Sequence, residues 1–262
     1  MTSLFKAKKS LGQNFLMHAR IAERIALAAG LPPDAIVLEI GPGTGMLTRE
    51  LLKKAKKVIA VEADRELFEK LKADFASEIA DDRLELIHCD IRDYPLNTAI
   101  AGSYGYSVVA NIPYYLTGEI FRMFLEADNQ PSSMTLLVQK EVADRIIARN
   151  GKESVLSLSV KAYGTPKREF LVPRGAFKPA PNVDSAVLTM KNISRKNFST
   201  KKEEELFFKL LHAGFAHKRK YVRKNLLDFA KTIGLRKLPL DSIPEKARAE
   251  DMQLSDWLVL SK

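Results

Sequence analysis

The chain has 262 residues, 46% of them hydrophobic and 28% charged, a balance that excludes a disordered chain and fits a folded one. One cysteine, Cys89, excludes an intramolecular disulfide, and four scattered histidines give no zinc-ligand spacing, so no metal is expected. The net charge of +10 points to an anionic partner, nucleic acid first. That charge is uneven: residues 191–262 hold 17 Lys/Arg against 9 Asp/Glu, which is most of the excess. No apolar run approaches the ~20 residues of a membrane helix. The N-terminal stretch MTSLFKAKKSLGQNF lacks a signal-peptide core, so the expectation is a cytoplasmic protein without a membrane.

In chain order, residues 18–30 read as a helix ending at Gly30 before Pro32-Pro33. Residues 35–40 (AIVLEI) form a short apolar run of the buried parallel-strand kind, stopping at Gly41. A helix over 48–56 follows, then a strand over 57–61 that ends in Glu62. The next pair is a helix over 65–77 and a strand over 84–88 leading into Cys89-Asp90. A strand over 106–110 leads into Asn111. A helix over 119–127, a strand over 134–139 and a helix over 140–149 continue the alternation. Runs at 156–163, 168–172 and 186–190 suit the far edge of the sheet. This alternation predicts an α/β fold with a doubly wound sheet, whose ligands bind at strand carboxyl ends. Gly41, Glu62, Asp90 and Asn111 all fall at such ends.

Residues 191–202 (KNISRKNFSTKK) are polar and basic and read as a linker. Helical patterns at 203–215 and 219–230 follow, with shorter ones to the end. The predicted division is therefore a catalytic domain over 1–190 and a small basic helical domain over 191–262.

Glu39-Ile-Gly41-Pro-Gly43-Thr-Gly45 sits between a strand and a helix. Its glycines permit a tight turn and close backbone approach to a ligand, marking Gly41 and Gly43 as cofactor contacts. It is neither the dinucleotide GxGxxG pattern nor a phosphate loop. Glu62, 17 residues past Gly45, can accept hydrogen bonds from ribose hydroxyls. Asp90 can accept from an adenine amino group, with Asp93 the competing acid. Gly12-Gln13-Asn14-Phe15-Leu16 can fold over a cofactor as a lid.

Asn111-Ile112-Pro113-Tyr114 is the most informative tetrapeptide. An adenine N6 amine is a poor nucleophile, because its lone pair is delocalised into the ring. A site that activates it needs acceptors for both N–H groups. The Asn111 side-chain oxygen and the Ile112 carbonyl are candidates. Pro113 stiffens the turn, and Tyr114 offers a face for the base. Phe177, on the proline-rich loop FKPAPNVDS, is the candidate for the opposite slice of a base sandwich. The basic, aromatic-interleaved stretch over 215–224 can grip a phosphate backbone through Lys218, Arg219, Lys220, Arg223 and Lys224.

Taken together, GQNFL, LEIGPGTGMLT, VEAD, CDIRD, NIPYYLTG, QKEVADRI and FKPAPNVDSAV occur in an order that resembles the ribosomal RNA adenine N6,N6-dimethyltransferases. The likeness covers roughly residues 8–230. It leans to the branch that modifies two adjacent adenosines near the 3′ end of small-subunit rRNA. It implies a Rossmann-like methyltransferase domain and a helical C-terminal domain. S-adenosyl-L-methionine is the implied cofactor, and small-subunit rRNA in an immature 30S-type particle the implied partner of a monomeric enzyme. Carried over by motif, Asn14 and Leu16 contact the cofactor through the lid, Gly41 its methionine portion, Glu62 its ribose and Asp90 its adenine. Asn111 stands between cofactor and target, with Tyr114 and Phe177 stacking the base. Ile112 and Gly118 depart from the commoner residues at their positions, but the role of Ile112 uses only its backbone carbonyl. The alternatives are the sister branch acting on large-subunit rRNA, a DNA adenine methyltransferase, and a non-catalytic assembly factor.

Overall fold

The computed structural model describes residues 8, 12–96, 100, 105–217, 219–234 and 238–262. Elements run in the order β1 (Phe15–Leu16), α1 (Ala19–Ala29), β2 (Ile36–Ile40), α2 (Met46–Leu52), β3 (Lys57–Glu62), α3 (Arg65–Asp74), α4 (Ala76–Ala80), β4 (Leu84–His88) and β5 (Ser107–Asn111). They continue with α5 (Thr117–Glu126), β6 (Ser133–Gln139), α6 (Lys140–Ile146), α7 (Val155–Lys161), β7 (Thr165–Val172), β8 (Phe177–Lys178) and β9 (Ser185–Lys191). The last helices are α8 (Lys201–Phe215), α9 (Val222–Thr232) and α10 (Leu254–Leu260).

Among the described residues, seven strands form one sheet in the order β4-β3-β2-β5-β6-β9-β7. The first five are parallel, and β9 runs antiparallel to β6 from Ser133↔Lys191 to Gln139↔Ser185. The chain winds outward from β2 through β3 to β4, then returns to β5 on the other side of β2. That reversal opens a crevice at the carboxyl ends of β2 and β5. The central strands are apolar throughout because both faces are covered: Val37, Leu38, Val58, Val108 and Val109 are fully buried.

The chain divides into two compact units, Met1–Ala143 with Lys167–Ile193, and Asp144–Pro166 with Ser194–Lys262. The expected single boundary at 190/191 thus meets a discontinuous arrangement, in which residues 144–166 belong to the second unit. The run at 156–163 is a correction: it is mostly α7, not an edge strand. Its alternation of serines with apolar residues imitates a strand. Ser154, however, caps the helix, accepting from Ser157 N at 3.1 Å, while the Ser154 N–H donates to Ser157 Oγ at 2.6 Å.

The second unit centres on Trp257 and Phe207, both fully buried. Phe215 stacks on Trp257 with ring centroids 5.8 Å apart. A Cβ at Gly214 of α8 would come within 2.3 Å of the Trp257 ring, so this position admits glycine only.

Candidate active site

The crevice is lined from four strand ends and from the segment before α1. Its lining includes Gly41 and Gly43 after β2, Glu62 of β3, Asp90 after β4, Asn111–Tyr114 at and after β5, and Asn14 and Leu16. Of the expected cofactor contacts and the expected base contacts, Asn111–Tyr114 and Phe177, all but Phe177 line this one cleft.

The glycine turn is built around positive φ. Gly41, Gly43 and Gly45 have φ of 64°, 61° and 78°. A Cβ at Gly41 would stand in open space, whereas one at Gly45 would fall 2.6 Å from Phe75. Glu62 holds the turn: its carboxylate accepts from Gly43 N at 3.0 Å and from Asp64 N at 2.9 Å. Burial pushes the Glu62 carboxyl up from its ordinary value, against the lowering effect of those two backbone donors.

Glu39 was not singled out by the sequence argument beyond its place in the motif. It lines the cleft, is 1% exposed, and its Oε2 has no hydrogen-bond partner. Burial raises its carboxyl to about 8, opposed by Thr48 and reinforced by Glu62. The Thr48 hydroxyl is itself without a partner in hydrogen-bonding geometry. An acid inside the apolar strand AIVLEI was the available signal, since a buried polar atom without a partner is costly.

The lid segment is tied at several points. Lys8 Nζ and Gln13 Nε2 donate to Asp64 at 2.8 and 3.0 Å. These bonds hold the Asp64 carboxyl below its ordinary value although burial opposes them. Phe15 packs over the turn, its ring 3.3 Å from where a Gly43 Cβ would lie. Leu16 pairs with Phe177 in the two-stranded β1–β8 ribbon.

Phe177 departs from expectation. It is 4% exposed, belongs to the core with Val172, Ala176 and Val187, and does not line the cleft. The ribbon with β1 fixes its backbone, and apolar burial accounts for its side chain. Asp90 does line the cleft, but its carboxylate holds Arg92, accepting from Nε at 2.9 Å and Nη2 at 2.6 Å. The Arg92 bonds hold its carboxyl below the usual range.

At the end of β5, Asn111 Nδ2 donates to the Asn14 carbonyl at 3.0 Å. That bond sets which end of the carboxamide is nitrogen, and no described residue donates to Oδ1. Among the described residues no backbone N–H donates to the Ile112 carbonyl, although the Ile112 side chain is buried. Tyr114 is half-buried, with its hydroxyl bonded to Ser185 Oγ at 2.6 Å. Two unpaired carbonyl-type oxygens beside an anchored aromatic ring can receive both protons of an amino group on a planar base.

Of the basic residues expected to meet RNA, Arg219, Lys220 and Lys224 are exposed on the second unit. Arg223 is half-buried, and its Nε donates to the Ile243 carbonyl at 2.7 Å. Lys218 lies outside the described residues. Among the described residues no helix is long and apolar enough to cross a membrane, and no cluster of metal-ligating side chains occurs.

The sheet order, glycine turn and strand-end acids define a Rossmann-like methyltransferase. Two solved structures share this architecture with a TM-score of 0.75 each. One is the 23S rRNA methyltransferase ErmE, 28% identical over 95% of this chain and 98% of its own. The other is a dimethyladenosine transferase from Plasmodium falciparum, 26% identical over 94% of this chain and 95% of its own. The family profile for ribosomal RNA adenine dimethylase matches residues 4–262, and the chain belongs to that family. Among its relatives are proteins named ribosomal RNA small subunit methyltransferase A. The one from Dehalococcoides mccartyi is 40% identical over 96% of this chain and 86% of the relative. The one from Fusobacterium nucleatum is 37% identical over 98% and 97%.

Proposed function

We propose that this chain dimethylates N6 of two adjacent adenosines near the 3′ end of small-subunit rRNA, within an immature 30S-type particle, using S-adenosylmethionine. The observation that carries the reading is the Asn111 carboxamide, turned by the Asn14 carbonyl so that Oδ1 is the available acceptor. Family membership and the names of relatives near 40% identity support the small-subunit substrate.

The cleft suits the cofactor on its own features: an open face at Gly41, the buried acids Glu39 and Glu62, and a lid closed by Asn14 and Leu16. S-adenosylmethionine, when bound, supplies an electrophilic methyl group. Gly41, Gly43, Glu62, Asp90, Asn14 and Leu16 would hold it. Asn111 Oδ1 and the Ile112 carbonyl accept the two N6 protons and draw the amine out of conjugation with the ring. Pro113 limits rotation of the turn, and Tyr114 supports the base face. Among the described residues no histidine or lysine lines the cleft, and the alkylated nitrogen is acidic enough to release its proton to water. Acceleration then rests on positioning and on preorganised acceptors. Arg219, Lys220 and Lys224, with Lys218 and Arg223, supply a sequence-independent grip on phosphates.

A large-subunit substrate is the second reading, favoured by the likeness to the 23S rRNA methyltransferase. Methylation of naked small-subunit RNA, immature small subunits, large-subunit rRNA and DNA separates the two. The expected product is N6,N6-dimethyladenosine in the small-subunit substrates. Preferential methylation of large-subunit rRNA or DNA overturns the assignment. Asn111→Ala should lose about 100-fold or more in rate, the scale of a removed preorganised hydrogen-bonding group, while calorimetry shows cofactor affinity retained.

A further inference from the structure

Tyr115 has no part in the chemistry above, yet it is 59% exposed and lines the same cleft. Met17, Leu27 and Leu171 are comparably exposed, but none of them lines the cleft. The ring edge of Tyr115 rests on the lid: a Cβ at Gly12 would come 3.0 Å from Cε1 and 3.2 Å from Cδ1. The ring is thus steadied on one edge. Asp90, which lines the cleft together with Tyr115, holds Arg92. The Arg92 guanidinium is clamped by Asp90 through Nε and Nη2, while its side chain stays 49% exposed.

Tyr114 and Tyr115 are consecutive in one short 3-10 turn, Tyr114–Leu116. Successive side chains in such a turn diverge by roughly 120°, so the two rings cannot face the same base. Tyr114 is anchored to Ser185 beside Asn111. An exposed aromatic face lining the cleft can stack a nucleobase, and an exposed guanidinium fixed on Asp90 of the same cleft can meet its phosphate.

We propose that Tyr115 and Arg92 form a second nucleobase subsite at the cleft mouth, holding the nucleotide next to the target adenosine. This rests on the RNA-methylating reading of the cleft. The subsite keeps the neighbouring base stacked while the target base is presented to Tyr114. It favours a purine, whose larger face covers more of the ring, and therefore suits a pair of adjacent adenosines.

The test uses the full-length chain with Tyr115→Ala and Tyr115→Phe. RNA carrying 2-aminopurine beside the target reports stacking by fluorescence quenching, independently of turnover. Tyr115→Ala should abolish the quenching and raise the KM for RNA about tenfold or more. Its cofactor Kd should stay within about twofold of the parent, and Tyr115→Phe should restore both RNA readouts. A weakened cofactor Kd with RNA binding intact overturns the proposal, because Tyr115 would then only support the lid. Equal defects in the Phe and Ala variants also overturn it, because the ring face would not be the binding element. Failure of the parent chain to methylate small-subunit RNA removes the functional reading instead, and the quenching comparison then decides the subsite alone.

Discussion

Replacing Gly45 and Gly41 separately by alanine distinguishes the structural from the ligand-facing half of the glycine turn. Both residues have φ in the left-handed region, 78° and 64°. That conformation costs an L-residue about 1–2 kcal/mol. At Gly45 the new methyl would also lie 2.6 Å from Phe75 Cε2 and 2.9 Å from both Phe75 Cζ and Leu71 Cδ2. Phe75 is fully buried and Leu71 is 1% exposed, so neither ring nor methyl has space to retreat. Overpacking of this kind adds about 1–3 kcal/mol, giving a total of about 2–5 kcal/mol for Gly45→Ala. That is a large fraction of the 5–15 kcal/mol or so that typically stabilises a domain. At Gly41 the methyl meets nothing within 4 Å, so only the conformational term of about 1–2 kcal/mol applies. Urea unfolding of both variants, paired with cofactor calorimetry, reads the difference. Gly45→Ala should lose stability heavily. Gly41→Ala should lose little stability but bind the cofactor poorly, because its methyl occupies the cleft. A Gly45→Ala protein as stable as the parent, or a Gly41→Ala protein with normal cofactor affinity, would refute the reasoning.

The remaining predictions concern buried polar groups and a helix glycine. Glu39 is raised from 4.5 to about 8 in the folded chain, so the folded state retains a proton that the unfolded state releases. Its contribution to stability is present below pH 4.5 and is lost as pH rises toward about 8. Glu39→Gln should flatten that decline in thermal melts taken between pH 5 and 8, and an unchanged slope would exclude Glu39 as its source. Glu62→Gln would set an amide N–H₂ against one of two backbone donors. A loss of about 1–3 kcal/mol in chemical denaturation, together with weaker cofactor binding, is expected; a silent variant would show that the carboxylate does not hold the turn. Gly214→Ala would drive a methyl to within 2.3 Å of Trp257. Loss of tryptophan emission structure and a stability drop of about 1–3 kcal/mol should follow, without a change in cofactor Kd. Native-like melting of that variant would contradict the packing described for α8 and α10.

The parallel core could be read directly because β2, β3 and β5 are short apolar runs that each end on a residue of different chemical type. Gly41, Glu62 and Asn111 were conspicuous for that reason, and they meet in one cleft. What stayed hidden depends on pairings distant in sequence. Phe177 on a proline-rich loop has the profile of a presented aromatic, and only its register with Leu16 reveals a core position. Asp64 caps α3, accepting from Glu66 N at 3.0 Å. Its second task, receiving Lys8 and Gln13, requires the lid to be in place. The α7 region failed on periodicity, because a serine cap outweighed a strand-like alternation. Residues 144–166 carry no mark of the unit they join, since that assignment is set by packing and not by composition.

The β1–β8 ribbon has a consequence for how the protein is made. Leu16 leaves the ribosome early, yet its partner Phe177 is synthesised about 160 residues later, after β6 and before the sheet receives β9. The ribbon's hold on this segment therefore comes late, whereas the bonds from Lys8 and Gln13 to Asp64 need only the first 64 residues. The carbonyl of Asn14, two residues before Leu16, is what orients Asn111. A growing chain that already possesses the glycine turn and the tetrapeptide therefore lacks one tie on the segment that carries Asn14, and gains it only with the last strands of the sheet.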